Sequence, residues 1–257
     1  MKRLSFAILM ALCGSFTANA AVLDDGDDET TAKDRLEQIE GLADKVKEKK
    51  AEKATKPFDF SLLEQFGWGF VLPGGTDAFS VDRNDSRELW FNACRAKINV
   101  VSWFGIDLGL NLLWKRFRAN GDNYVYIDNA NDFKIAPIAT QQALYPAAGG
   151  TFKTLTSQIN TFSIETPLML DFHSNSFAFR LGALAGFNAS ACQKERVAYG
   201  TTQARSKVKG GDVAGFYFGP CLELVWGGLG VYMKYIPVEI VPGIITDYIS
   251  AGLVLDI

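Results

Sequence analysis

Residues 177–192 read FAFRLGALAGFNASAC. Counted in steps of two, the stretch separates into two faces, and two is the side-chain period of a β-strand. The odd positions are Phe177, Phe179, Leu181, Ala183, Ala185, Phe187, Ala189 and Ala191. The even positions are Ala178, Arg180, Gly182, Leu184, Gly186, Asn188, Ser190 and Cys192. One face is apolar throughout. The other is small or polar and carries an arginine, so the two sides of this strand meet different surroundings.

The same division recurs in both directions along the chain. Upstream, Phe66, Trp68, Phe70 and Leu72 share one face, as do Phe104, Ile106, Leu108, Leu110, Leu112 and Trp114, and then Phe162, Ile164, Thr166, Leu168, Leu170 and Phe172. Downstream, Phe216 to Trp226, Leu229 to Tyr235 and Ile249 to Ile257 repeat it. With the less regular stretch Leu89 to Val101, eight strands are expected. In that stretch Phe91 and Ala93 share a parity with Arg95 and Lys97, so a β-bulge is expected to shift the register partway along.

Alternation alone does not say whether the apolar face points in or out. A soluble barrel buries it; a transmembrane barrel turns it to lipid. Volume argues for the outside, because the interior of an eight-stranded barrel is just wide enough for side chains to fill. The opposite face agrees: it carries Gly67, Gly69, Gly105, Gly109, Gly182, Gly186, Gly215, Gly219, Gly228, Gly230 and Gly252, small residues suited to a crowded lumen. The connections alternate. Long ones are expected near 73–87, 119–153, 195–211 and 236–246, and short ones near 101–104, 173–176 and 227–228. Short periplasmic turns and long outer loops characterise outer-membrane barrels. Trp103, Phe104, Phe172, Phe177 and Trp226 beside the short turns, and Trp90, Trp114, Phe117 and Tyr235 nearer the long loops, read as two aromatic girdles. The expected fold is all-β: an eight-stranded antiparallel transmembrane β-barrel over 59–257.

Composition is compatible with this. The chain of 257 residues is 48% hydrophobic and contains 24 Gly and 19 Phe. Beyond the N-terminus the longest uncharged apolar stretch, Leu224 to Met233, is half the length of a membrane-spanning helix. A net charge of −3 leaves no basic footprint for nucleic acid.

Residues 1–20 read as a secretory signal peptide: Lys2 and Arg3, an apolar core from Leu4 to Leu12, and the small-x-small site Ala18-Asn19-Ala20. Residues 21–58 read as a charged periplasmic leader. There Leu36, Ile39, Leu42 and Val46 fall at helical spacing, before a Lys/Glu/Ala-rich spacer that stops at Pro57. Both termini of the barrel would then be periplasmic. Cys94, Cys192 and Cys221 remain after export and read as packing residues.

Charges on the small-residue face are the main candidate site. Asp107, Glu165, Asp171, Glu223 and Asp256 nearly balance Lys115, Arg180 and Lys234, with Arg95 and Lys97 expected to join them. Buried charges must be paired, so these predict a lumen salt-bridge network. A tight turn at Gly227-Gly228 puts Glu223 opposite Tyr232 and suggests a Glu223–Lys234 contact. A second candidate is the cation cluster Lys194, Arg196, Arg205, Lys207 and Lys209, placed to meet anions such as lipid phosphates, lipopolysaccharide or a polyanionic protein partner. The long connection at 119–153, with Tyr124, Tyr126 and Tyr145, is a candidate partner-binding loop.

Chemistry finds little support. The single His, His173, falls in a short turn and reads as a solvated residue. No metal-ligand cluster, phosphate-binding Gly loop or nucleophile–base pair is apparent. No catalytic residue, metal or cofactor is therefore expected.

The segment Ile164-Glu165-Thr166-Pro167-Leu168, the Gly-rich strand Phe179 to Gly186 and the strand start Gly211-Asp212-Val213-Ala214-Gly215 resemble the PorT-like outer-membrane β-barrel family of Bacteroidetes. The resemblance implies an eight-stranded barrel in the outer membrane, with one branch of the family serving protein secretion. It departs in ending Leu255-Asp256-Ile257 rather than on an aromatic residue. The expected role is non-enzymatic, structural or partner-binding, linked to secretion or envelope integrity. Two alternatives stay open: a soluble exported barrel holding an apolar ligand, and a barrel enzyme that modifies lipid.

Overall fold

The computed structural model describes residues 57–74, 85–119, 123–139, 152–174, 176–199 and 202–256. The expected signal peptide, almost all of the leader, and Tyr145 lie outside the described residues.

The strands are β1 (Phe58–Ser61), β2 (Gln65–Gly74), β3 (Arg87–Val101), β4 (Phe104–Arg118), β5 (Asn123–Ile127), β6 (Phe133–Pro137), β7 (Phe152–His173), β8 (Phe177–Tyr199), β9 (Thr202–Lys209), β10 (Phe216–Trp226), β11 (Leu229–Ile236) and β12 (Asp247–Asp256). Eight of them form a closed antiparallel barrel in the order β2–β3–β4–β7–β8–β10–β11–β12, and β12 returns to β2 from Asp247↔Gly74 through Asp256↔Gln65. Closure pairs each of the eight wall strands on both sides, so the ring itself has no free edge strand. β1 continues the wall beside β3, and β9 lengthens it beside β8.

The period-two pattern becomes an inside and an outside. On β4, Gly105, Asp107, Gly109, Asn111, Leu113, Lys115 and Phe117 are buried while Ile106, Leu108 and Trp114 are exposed. On β11 the pattern alternates without a break, with Tyr232 and Lys234 in and Val231 and Met233 out. The bulge expected in β3 falls between Asn92 and Cys94. It switches the inward set from Glu88, Trp90 and Asn92 to Arg95.

The short connections stand where they are expected, at one end of the barrel. Gly227 and Gly228 form the β10–β11 turn with φ of 61° and 96°, the left-handed pair that a two-residue hairpin needs. Gln65 and Asp256 pair at this same end, so the chain enters and leaves the barrel there.

The other end differs from the sequence expectation. Much of the expected long connections is itself strand: β7 and β8 run for 22 and 23 residues, and β9 folds back on β8. A further bulge lies at Ala189, because Phe162 pairs with Ser190 while Ser163 pairs with Asn188. From there the faces of β8 swap, so Ala191 and Gln193 point in and Ser190 and Cys192 point out. Period-two counting carried the first half's parity through a bulge that leaves no mark in the residue types.

The connection after β4 is not an open loop either. β5 and β6 form a hairpin, and Val125 and Phe133 bury in one apolar cluster with Ile240, Val241, Ile244 and Ile245 from the β11–β12 connection. Inward residues of the wall, among them Val71, Phe117, Ile159 and Tyr248, complete the cluster. Ser157 and Gln193 of the wall tie the hairpin down through the Val125 backbone, and Ala214 N donates to Ile240 O at 2.9 Å. The result is an apolar plug that fills the end opposite the short turns.

Candidate functional site

Below the plug the lumen holds two layers of buried charge. The upper layer comprises Glu88 and Lys115, directly paired across β3 and β4, with Glu165 of β7 and Lys234 of β11. Lys234 Nζ lies 2.8 Å from Glu165 Oε2 and 3.4 Å from Glu88 Oε1. Lys115 Nζ lies 3.9 Å from Glu165 Oε1 and donates to Tyr248 Oη at 2.7 Å and Tyr217 Oη at 3.1 Å. Tyr217 in turn donates to Glu165 Oε1 at 2.9 Å. Both ammoniums also sit over aromatic rings, Lys115 at 4.1 Å from the Tyr217 centroid and Lys234 at 5.2 Å from that of Trp90.

Inner-face glycines make room for these rings. A Cβ on Gly67 would overlap the Trp90 ring, and one on Gly186 would overlap the Tyr217 ring. At these two positions the glycine has a packing cause, a large aromatic from the neighbouring strand lying across the bare backbone, whereas at Gly182, Gly219, Gly230 and Gly252 the closest atoms are those of the neighbouring backbone.

The lower layer, towards the short turns, centres on Arg180. Its guanidinium reaches Asp256 at 2.9 Å, Glu223 at 3.1 Å, Asp171 at 3.6 Å and Asp107 at 3.8 Å. Arg95 forms a tight pair with Asp107 and lies 4.0 Å from Asp256. Lys97 Nζ is 2.5 Å from Asp171. His173 belongs here too: it is 9% exposed, with Nδ1 3.5 Å from Asp171 Oδ2. Its reading as a solvated turn residue is therefore corrected, since it is the last residue of β7 and faces inward. The suggested Glu223–Lys234 contact is also corrected. Glu223 stands opposite Tyr232 as expected, but on its other side it stands opposite Arg180, which takes the ion pair. Lys234 reaches across the lumen to Glu165 instead.

All eight lumen charges named from the sequence, Asp107, Lys115, Glu165, Asp171, Arg180, Glu223, Lys234 and Asp256, thus fall into two connected layers. Glu88 is the inward acid that the sequence missed. It precedes the β3 bulge, and assigning it to the lumen requires knowing where parity changes. Trp90 and Phe117, read as girdle residues, are fully buried inside the barrel. On the short-turn side Trp103, Phe104 and Phe172 cluster, with ring centroids 5.1 to 6.3 Å apart. A continuous aromatic row starts at Phe66, near the entry of β2, and passes through Phe91, Trp114 and Phe162, which lie far along β3, β4 and β7 from the short turns.

The second candidate site lies on the outward face beyond that row. Lys194, Arg196, Arg205, Lys207 and Lys209 are all exposed on β8 and β9. The register sets Lys194 opposite Lys207 and Arg196 opposite Arg205. β7 and β4 continue the surface, and with them come Arg116 and Arg118, which the sequence reading did not include. Glu195, on the opposite parity, has its carboxyl raised above the usual range by burial. Tyr124 and Tyr126, candidate partner contacts, pack against each other at 5.6 Å, and Tyr124 is buried.

Among the described residues, no group of three His, Cys, Asp or Glu side chains is arranged to hold a metal ion. The fold and its interior define a class: a closed eight-stranded β-barrel with a charge-filled, plugged lumen. In comparisons with known proteins, no family model matches this chain and no curated protein matches it.

Proposed function

We propose that this barrel sits in the outer membrane of a Gram-negative bacterium with both ends of its chain on the periplasmic side, and that it is a non-enzymatic envelope protein. The observation that carries the proposal is the inversion of the molecule. Its lumen is lined by paired charges, while Ile106, Leu108, Trp114, Leu168, Leu170, Leu181, Phe218, Leu224, Met233, Ile249 and Leu253 are each at least 37% exposed on the outside. On β4 the outward apolar run from Phe104 to Trp114 covers about 33 Å of strand, or about 25 Å along the axis at a tilt of about 40°, the height of a membrane barrel's apolar band. In water such a belt would be an aggregation surface.

The filled interior supports a structural or partner-binding role over transport: among the described residues an apolar cluster packs into one end and two layers of paired charge cross the lumen. An apolar ligand would need an apolar, vacant interior, and this one is occupied by ion pairs and an apolar plug. The resemblance to PorT-like proteins favours a place in secretion or envelope integrity, with contacts made by the outer rim or the periplasmic leader.

Electrophoresis of detergent-extracted protein with and without heating tests the proposal. The folded barrel migrates differently from the heated chain, and the protein stays with the membrane fraction until detergent is added. Release into the soluble periplasmic fraction without detergent overturns it.

A further inference from the structure

The cationic face of β4, β7, β8 and β9 has a position as well as a charge. Its residues continue the outward parity of the wall beyond the aromatic row. Trp114 pairs with Phe162, and two residues further along the strands Arg116, Asn160, Cys192 and Lys209 form the next row across the sheet. The row after that is Arg118, Gln158, Lys194 and Lys207, followed by Thr156, Arg196 and Arg205. At about 3.3 Å per residue and a tilt of about 40°, these rows stand about 5, 10 and 15 Å further along the axis than the aromatic row, measured up each strand. Phospholipid headgroups begin within that distance of the hydrocarbon edge. The cations therefore face sideways, towards the lipid, at headgroup height and just beyond.

They are also short of counter-charge. Asp85 pairs with Arg116 at 3.9 Å and makes a close contact with Arg118, and Arg196 bonds to Gln203. Among the described residues no carboxylate forms an ion pair with Lys194, Arg205, Lys207 or Lys209. Like charges directly opposite on paired strands weaken a sheet, yet here two such pairs lie side by side. An anion bridging them would relieve both. The side chains border a cleft of about 570 Å³ that Thr156, Gln158 and the half-buried Glu195 also line.

We propose that this face binds the phosphate groups of an anionic glycolipid in the outer leaflet, the apolar belt below taking the acyl chains while Lys194, Arg196, Arg205 and Lys207 hold the headgroup. The proposal rests on the membrane reading and names the lipid chemistry that it leaves open. Charge-assisted bonds from arginine forks and lysine ammoniums suit phosphate oxygens.

The test reconstitutes the full chain into phosphatidylcholine vesicles containing a diphosphorylated glycolipid or its dephosphorylated form. The phosphorylated lipid retained after mild detergent extraction is then measured. The variant Lys194→Gln/Arg196→Gln/Arg205→Gln/Lys207→Gln should retain about tenfold less or lower, since each cation near an anionic lipid surface contributes substantially. The control Lys134→Gln, on β6, should retain as much as the parent. The two-site variant Lys194→Gln/Lys207→Gln should show an intermediate loss, which keeps the test informative if the fourfold variant does not fold. Equal retention by parent and variants, or by the two lipid forms, overturns the proposal. Displacement of the lipid by inorganic phosphate at equal concentration assigns the face to small anions and overturns it as well. A parent chain that enters neither vesicle and shows no heat shift overturns the membrane reading itself, whereas insertion without selective retention overturns only this inference.

Discussion

Glu165→Leu should be the most destabilising single change in the lumen, and Glu223→Leu should be mild, although both remove a buried carboxylate. The difference lies in the charge count of each layer. The upper layer has Lys115 and Lys234 against Glu88 and Glu165, so removing Glu165 leaves two buried ammoniums sharing one acid. Lys234 loses its 2.8 Å partner, and Tyr217 loses the acceptor that orients it beneath Lys115. Breaking a buried pair in this way costs about 3–5 kcal/mol. The lower layer has Arg95, Lys97 and Arg180 against Asp107, Asp171, Glu223 and Asp256. Removing Glu223 brings it to balance, and Arg180 keeps three carboxylates within 3.8 Å. The expected cost is about 1.5 kcal/mol, that of one charge-assisted hydrogen bond. The double variant Glu165→Leu/Lys234→Met restores neutrality to the upper layer and should recover most of the loss. Urea unfolding in detergent micelles, followed by tryptophan fluorescence and by the heat-shifted band, separates these outcomes. A gap of roughly 2–3 kcal/mol moves the midpoint by about 1 M or more. Equal midpoints for the two single variants, or a double variant no better than Glu165→Leu, would refute the charge-count reasoning.

Gly186→Val places a branched side chain where the Tyr217 ring lies and should cost about 1–3 kcal/mol through overpacking. The same unfolding titration measures it, and an unchanged midpoint counts against the ring-over-glycine packing. Cys221 is buried on the inward face of β10, so a bulky maleimide should label it only after unfolding, with gel shifts in the native and urea-treated protein as the readout. Glu195 carries a carboxyl raised by burial, so the folded hairpin favours its neutral form. The penalty is full above the raised value and fades as pH falls through it towards the ordinary carboxylate range. Glu195→Gln should therefore slow amide exchange in β8 and β9 at neutral pH and make no difference in acid.

The barrel was legible in the sequence because its two environments differ so strongly. Phe104 to Trp114 on one parity and Asp107 to Lys115 on the other leave a single consistent assignment, and the doublet Gly227-Gly228 marks its turn by chemistry alone. The lumen charges were legible for the same reason. Their partners were not. Glu223 has a neighbour on each side, and only the three-dimensional register says that Arg180 rather than Lys234 takes the bond. Bulges set the other limit. The one in β3 announced itself by putting Arg95 on the parity of Phe91, whereas the one at Ala189 sits among alanine and serine, which suit either face. The plug was hidden because Ile240, Val241, Ile244 and Ile245 follow no strand period, and a short apolar loop does not reveal what covers it. Arg116 and Arg118 belong to the cationic face because β4 pairs with β7, which in turn pairs with β8, an order that residue types along the chain do not show.

On the membrane reading, the layered lumen also constrains how the protein reaches its place. Every wall strand from β3 to β12 except the plugged ends carries an inward polar or charged residue whose partner comes from elsewhere in the chain: Lys115 waits for Glu165, and Lys234, near the C-terminus, must find both Glu165 and Glu88. A hairpin that entered hydrocarbon alone would turn those groups towards lipid, at a cost of about 2–4 kcal/mol for each lysine or arginine near the midplane. Entry strand by strand is thereby penalised at each step. The chain must curl and pair its charges before or while it crosses, so that the last strand, by docking on the first, completes the route and the fold in one event.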